Sequence, residues 1–276
     1  AYPPGQRKHS LLEAQMVSLY AALAAERLLF NSRYNLDSFL AGCGDLLARL
    51  PDKVPSGIPG RLADKAHVLP VPVDVEQFSA GSSAWPGTPD GAGRPMRLLW
   101  LGRFEHDKGG EHLLAVLERL ESLSITYELA VVGQRFRRSP PAFSAISAAF
   151  GHRLVQFGYV QEREDYRALL AGADLVLSTA VHEFQGLAVM EAVAAGCVPV
   201  VPDRLAYAEL YPPPFRYASI PEDREQQAKA ATDCLLNAWS DMQAGRLKAP
   251  DLQRFSLVSM GPEYRSLLGG LEGPAG

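Results

Sequence analysis

Apolar positions recur at helical spacing through Leu11, Leu12, Met16, Leu19, Tyr20 and Leu23, and the short apolar run Leu28-Leu29-Phe30 follows. The first pattern predicts a helix and the second a strand. Asn31-Ser32 supplies cap chemistry for a second helix whose apolar side carries Leu36, Phe39, Leu40, Leu46 and Leu47. The Pro-rich stretch from Pro51 to Pro59 reads as a loop. After it, Ala66 to Val71 reads as an extended piece that prolines at 70 and 72 restrict to an edge or crossing position.

Beyond residue 96 the pattern alternates regularly. Nearly continuous apolar runs predict strands at Arg97–Leu101, Tyr127–Val132, Leu154–Phe157, Leu175–Ser178 and Val198–Val201. Amphipathic segments predict helices at Gly110–Leu123, Ala142–Phe150, Arg163–Ala171, Leu187–Ala195 and Asp223–Trp239. Strands that are apolar on both faces, separated by helices, indicate a parallel sheet covered on both sides. The expected architecture is therefore α/β, with a doubly wound, Rossmann-like domain that takes ligands at the carboxyl ends of its strands.

Residues 79–96 are rich in Ser, Gly and Pro and read as a linker. The expected organisation is a partial N-terminal α/β domain at 1–78, the linker at 79–96, and a ligand-binding domain with C-terminal helices at 97–276. A chain of 276 residues that is 47% hydrophobic has enough apolar surface for real cores, which excludes disorder as its main state. The balance of 27 basic and 31 acidic side chains, net −4, excludes a polybasic binder but leaves room for a local basic patch. Cys43, Cys197 and Cys234 are too few and scattered for a disulfide framework or zinc site, and they fit a reducing, cytoplasmic setting. No apolar run reaches the length needed to cross a bilayer, and no signal-type segment follows Ala1–Lys8. The chain also starts without Met, which leaves open whether it is a piece of a longer protein.

Two segments carry chemistry. The first is the strand-to-helix turn Gly102-Arg103-Phe104-Glu105-His106-Asp107-Lys108-Gly109-Gly110. Backbone amides at such a turn attract anions, and Arg103 and Lys108 add a forked donor and a point charge suited to a diphosphate. The alternative is that Arg103 and Lys108 simply pair with Glu105 and Asp107 on a solvated loop. The second is His182-Glu183-Phe184-Gln185-Gly186-Leu187-Ala188-Val189-Met190-Glu191. Glu183 falls in the loop after a strand and Glu191 in the first turns of the following helix. A carboxylate can accept two adjacent hydroxyls, so one glutamate suits a ribose and the other a sugar; a cap at Glu183 and a surface carboxylate at Glu191 are the alternatives. His182 reads as structural, and Cys197 as a small buried residue at the start of a strand. Ser178 and Thr179 lack a nucleophile-and-base arrangement, and no metal-ligand spacing occurs.

Together these residues resemble the retaining glycosyltransferases of GT-B fold, family 4. The resemblance is carried by Gly102-Arg103, Lys108-Gly109, and Glu183 through Glu191 with Ala192 and Gly196-Cys197-Val198-Pro199-Val200. Phe30-Asn31-Ser32, Val73-Asp74, Val132-Gly133 and Ala173-Asp174 extend it across most of residues 26–202. A narrower resemblance, to the tRNA-queuosine α-mannosyltransferase subgroup, rests on Phe30 to Leu40, Arg103 to Lys108, Gly158-Tyr159, Asp165-Tyr166, Ser178 to Phe184, and Pro202 to Pro212. Phe104 and Gln134 depart from the subgroup, where Trp and an acidic residue are usual.

The resemblance implies a GT-B fold whose acceptor-side domain is represented here only by residues 1–78. It also implies GDP-mannose as a nucleotide-sugar donor and the queuosine base of a tRNA as acceptor, with no metal or cofactor. It implies catalytic roles for Arg103, Lys108 and Glu183, and donor contacts from Gly102, Arg103, Lys108, His182, Glu183, Phe184, Gln185, Gly186, Leu187 and Glu191. Arg135, Arg137 and Arg138 form a basic cluster that is either a nucleic-acid surface or a solvated loop. Two other readings remain at this level: a family 4 transferase acting on a lipid, glycan or small metabolite, and a donor-domain fragment that binds a sugar nucleotide without catalysis. Neither a membrane partner nor an oligomeric state is indicated.

Overall fold

The computed structural model describes residues 11–51, 54–79, 83–91 and 93–269, which form two compact units. The larger unit spans Pro72–Gly261; the smaller contains the chain up to Val71 together with the segment from Pro262 onward.

The smaller unit opens with helix α1 (Leu11–Ala24), strand β1 (Leu28–Phe30) and helix α2 (Arg33–Ala48). The Ser32 hydroxyl accepts from the Asn35 amide at 3.1 Å, so the expected cap is made. Helix α3 (Ile58–Ala63) begins inside the stretch expected to be a loop, because Pro59 sits in its first turn, where a missing N–H is harmless. Strand β2 (Ala66–Val68) pairs in parallel with β1, Leu29 opposite His67. Leu19, Ala22, Cys43, Leu46, Ile58 and Leu62 form the core.

The larger unit begins with helix α4 (Val75–Ser79), followed by strand β3 (Met96–Leu101). Next come α5 (Gly110–Ser122), β4 (Tyr127–Val132), α6 (Pro141–Ala149), β5 (Leu154–Gly158) and α7 (Arg163–Gly172). The chain continues through β6 (Leu175–Leu177), α8 (Leu187–Ala194), β7 (Val198–Pro202), α9 (Tyr207–Leu210) and β8 (Arg216–Tyr217). Helices α10 (Arg224–Gln243) and α11 (Leu257–Leu268) close the chain, the second crossing the boundary between the units. All pairings are parallel, in the order β5-β4-β3-β6-β7-β8. Leu98, Leu99 and Trp100 are at most 1% exposed, as a central strand covered on both faces requires. On α5, Leu113, Val116, Leu117 and Leu120 bury one stripe at i, i+3, i+4, i+7 spacing. The chain winds outward from β3 in one direction through β4 and β5, then returns to β6 on the other side of β3. The switch in direction therefore lies between β3 and β6, where such sheets open a crevice at their carboxyl ends.

Two boundaries differ from the sequence expectation. Residues 72–79 belong with the larger unit, not with 1–78: Val73 donates to Phe255 O at 2.9 Å, and Arg163 donates to Gln77 Oε1 at 2.6 Å. Residues 262–269 belong with the smaller unit instead of the expected 97–276 domain. There the Tyr264 hydroxyl donates to Pro70 O at 2.9 Å, and Arg27 donates to Leu267 O.

The expected linker at 79–96 is tied down at Ala84, Trp85, Thr88 and Arg94. Ala84 N donates to Ala168 O, Trp85 Nε1 donates to Glu128 Oε2 at 2.6 Å, and Arg97 donates to Thr88 O. Arg94 grips Asp174 with two 2.7 Å bonds, and Asp174 also accepts from the Arg97 amide. These contacts fasten the segment across the amino ends of β3 and β6. Residues 80–82 and 92 of the linker, and the ends of the chain at 1–10 and 270–276, lie outside the described residues. Among the described residues no helix is long and apolar enough to cross a membrane.

Candidate active site

The loops leaving β3 and β6 meet. A 3-10 turn, His106–Lys108, leads from β3 into α5 through Gly109, whose φ of +69° suits only glycine. A Cβ at Gly109 would stand 1.9 Å from Thr179 O, so the turn presses directly on the backbone that ends β6. Thr179 fixes it there: its hydroxyl donates to Lys108 O at 3.0 Å and accepts from Trp100 Nε1 at 2.9 Å. The amides of Val181 and His182 both donate to Asp107 O, at 2.8 and 3.1 Å. The two loops are thus sewn together by main chain, a construction that holds whichever side chains they present.

That construction brings Lys108 to Glu183. Nζ lies 2.9 Å from Glu183 Oε2, 3.3 Å from His182 O and 3.4 Å from Asp107 Oδ2. The local pairing weighed for Lys108, with Asp107, therefore exists at 3.4 Å, but a pairing that the sequence did not suggest, with Glu183, is shorter at 2.9 Å. Glu183 also caps its own loop, Oε1 accepting from the Phe184 amide at 3.1 Å. Arg103 takes the local alternative, with Nη2 3.1 Å from Glu105 Oε2 and its side chain 57% exposed.

Beside this pair lies a cavity of about 500 Å³, walled by Gly102 and Arg103 after β3 and by Gly133 and Gln134 after β4. Tyr159, Arg163, Tyr166 and Glu191 are among its other lining residues. Gly102 joins the two features, since a Cβ there would stand 3.3 Å from the Lys108 stem. Gly133 lets the loops after β3 and β4 approach closely: a Cβ on it would stand 1.8 Å from Gly102 O. Glu191 projects from α8 into this cavity and is not a solvated surface carboxylate. Tyr166 donates to its Oε2 at 2.8 Å, and burial pushes the carboxyl above its ordinary range against the opposing pull of that bond. Burial likewise pushes the Tyr166 hydroxyl up, so it stays a donor.

The remaining expected residues are placed as follows. Gly186 caps α8 with φ +78°, packed under Tyr207, and Leu187 opens the helix. The first-turn amides of α8 lack partners within the helix, as at any N-terminus. Phe184 is exposed at 46%, the ring of His182 is exposed, and Gln185 is buried with Nε2 3.5 Å from Met190 Sδ. Phe104 is fully buried and stacks on Phe143 at 4.3 Å, so the usual Trp of the subgroup is replaced at a core position, not at a ligand contact. Cys197 is fully buried and bonds to Leu170 O. Among the described residues no group of His, Cys, Asp or Glu is arranged to hold a metal ion.

Sequence reasoning missed three contributors. Tyr166 was noticed only for its resemblance, although its place one turn beyond Arg163 on α7 turns it toward the cavity. The sequence presents Thr179 only as a nucleophile without a base, whereas it holds the Lys108 turn. Tyr159, like Tyr166, enters the sequence reading only through the subgroup resemblance, with nothing that marks it as a cavity wall.

The family profile of the glycosyl transferases group 1 matches residues 91–246, more than half of the chain. The chain belongs to this family. A second profile, tRNA-queuosine alpha-mannosyltransferase N-terminal, matches residues 1–73 of this group 1 glycosyl transferase. The chain is 34% identical over 213 residues to the tRNA-queuosine alpha-mannosyltransferase of Drosophila melanogaster, covering 76% of this chain and 56% of that protein. It is 26% identical over 190 residues to the GDP-mannose:cellobiosyl-diphosphopolyprenol alpha-mannosyltransferase of Xanthomonas oryzae, covering 68% of this chain and 43% of that one. The chain thus spans about half the length of the curated relatives it matches. Among solved structures, Anabaena HepE in complex with UDP-glucose superposes with a TM-score of 0.67 at 17% identity, covering 95% of this chain and 69% of that chain. That likeness shows the fold, which is of GT-B type as expected.

Proposed function

We propose that this chain carries the donor side of a retaining mannosyltransferase that moves mannose from GDP-mannose to the queuosine base of a tRNA. The observation that carries this reading is the joining of the Lys108–Glu183 pair and the Glu191 cavity at Gly102, in the crevice between β3 and β6. The kinship with the Drosophila enzyme over 76% of the chain supports the acceptor, and the printed donor of the Xanthomonas relative supports GDP-mannose.

In this reading the acceptor hydroxyl oxygen bonds to the anomeric carbon on the face from which the diphosphate departs. The C1–O bond to the diphosphate breaks, and the hydroxyl proton passes to a departing phosphate oxygen, releasing GDP with configuration retained. The protein's work is to place the reactants and to stabilise the charge that develops on the diphosphate. Lys108 gives up its long contact to Asp107 for a phosphate oxygen while Glu183 holds its position. Arg103, exposed and paired only locally, swings from Glu105 to the same group. Glu183 receives sugar hydroxyls, and Glu191, aimed into the cavity by Tyr166, receives the ribose diol. The positive charge in this mechanism comes from side chains and amides, and no metal is required.

The test is transfer of labelled mannose from GDP-mannose to queuosine-containing tRNA, with tRNA lacking queuosine as control. Label appearing only on the modified tRNA is expected. Label on neither tRNA, or equally on both, would overturn the acceptor reading.

A further inference from the structure

From Leu129 through Gln161 the chain carries four arginines and no Asp or Glu, although its net charge is −4. Three of the four, Arg135, Arg137 and Arg138, lie in the loop that follows β4, and all three are exposed. Neither Arg137 nor Arg138 has a carboxylate partner among the described residues, in contrast to Arg94, Arg97, Arg153 and Arg216 of the same unit. Between Arg135 and Arg137 stands Phe136, 37% exposed. It is held outward by a closed turn in which its amide donates to Ser139 Oγ at 2.9 Å and its carbonyl accepts from both Ser139 N and Oγ. The neighbouring loop presents Tyr159, 61% exposed. The two loops emerge side by side, because Val132 and Gly158 are paired at the carboxyl ends of β4 and β5 and Gly133 N donates to Gly158 O. Gln134 and Tyr159 both wall the cavity, so this surface forms its outer rim.

Unpaired guanidinium groups interleaved with outward-facing rings match a single-stranded nucleic acid, whose phosphates take the charges and whose unstacked bases take the rings. We propose that Arg135, Phe136, Arg137, Arg138 and Tyr159 form the surface on which the unpaired loop of the acceptor RNA is held at the donor site. This rests on the RNA-acceptor reading above and adds to it the surface and the kind of RNA structure recognised. The ring faces stack splayed bases and are indifferent to a closed helix, so a loop is preferred over a duplex.

The experiment titrates the full chain with a labelled RNA stem-loop and with a fully paired RNA duplex of the same length, by fluorescence anisotropy, over a range of salt. The parent is expected to prefer the stem-loop. Phe136→Ala is expected to lose about tenfold in stem-loop affinity. Arg137→Ala/Arg138→Ala is expected to flatten the salt dependence by roughly 1.4 in log–log slope, with Arg137→Lys/Arg138→Lys restoring most of it. GDP affinity, measured on the same variants, is expected to stay at the parent value. The proposal falls if the parent does not bind the stem-loop, if it binds the duplex equally well, or if these variants bind as the parent does. It also falls if GDP affinity drops in step with RNA affinity, since the loop would then belong to the donor pocket. Stem-loop binding that depends on the patch in a protein that fails to bind GDP-mannose would sink the donor reading and leave this surface standing.

Discussion

Lys108 Nζ and Glu183 Oε2 stand 2.9 Å apart although 75 positions separate them in the chain. The pair bridges the loops that leave β3 and β6, where the proposed mechanism puts the diphosphate and the sugar ring. Removing one preorganised electrostatic donor typically raises a barrier by about 2.7–4 kcal/mol. Lys108→Ala is therefore expected to cut kcat for donor turnover by roughly a hundredfold or more. Steady-state kinetics with GDP-mannose checks it, and a near-parental rate would remove Lys108 from the mechanism.

Arg103 is expected to show a similar loss in Arg103→Ala, but with a different companion result. Its resting partner is Glu105, so Glu105→Gln should leave the guanidinium free and hold or raise turnover, whereas the same change at Glu183 should lower it. Turnover measured on Arg103→Ala, Glu105→Gln and Glu183→Gln decides this; equal losses in the last two would mean that the Glu105 pair belongs to the active arrangement.

Glu191 yields a prediction with a pH sign. Burial favours its protonated form in the folded state, so folding stability contributed by this group is present at low pH and declines as pH rises through its elevated folded value. Glu191→Gln should therefore unfold at a higher temperature than the parent at neutral pH, with the gain vanishing below the ordinary carboxylate range. The same variant should bind GDP-mannose more weakly, and parental donor affinity should fall as acid protonates Glu191. Thermal unfolding and donor titration across pH measure both effects.

Much of this arrangement was legible in the sequence, and the reason lies in period. Tyr127–Val132 and Gly110–Ser122 carry strong two-sided and one-sided apolar patterns, and their boundaries were readable to within a residue. Pieces such as α3, α9 and β8 are too short to display a period, so they were not. The turn at Lys108 and the Glu183 to Glu191 segment stood out as chemistry, but nothing local said that Lys108 would prefer Glu183 to Asp107. That choice follows from strand order, which puts β6 beside β3, and from Thr179 pinning the turn. The sequence carries Tyr166 only as part of a resemblance and not as a site residue, because its partner, Glu191, lies on a different helix.

Gly109 is where loop geometry and site geometry coincide. Gly109→Ala imposes a side chain on a left-handed backbone and drives a Cβ into Thr179 O at 1.9 Å. A loss of about 2 kcal/mol or more of stability is expected in chemical denaturation, since both backbone strain and displacement contribute. Unchanged stability would mean that the turn is not pressed against β6.

At the opposite end of the sheet, Asp174 holds Arg94 and the Arg97 amide in a buried network. Breaking such a pair strands a buried charge, so Asp174→Ala should lower stability by about 3–5 kcal/mol. Denaturant unfolding checks it; because this network lies at the amino ends of the strands, donor affinity of the folded fraction should stay at the parental value.

The most direct measurement is calorimetric titration of GDP-mannose into this chain, in parallel with Glu191→Gln and Lys108→Ala. The expected result is one site per chain, displaced by GDP, with affinity reduced about tenfold or more in each variant as charge-assisted bonds are lost. A parent that releases no binding heat and shows no competition by GDP, or variants that bind as tightly as the parent, would contradict a sugar-nucleotide site in the crevice between β3 and β6.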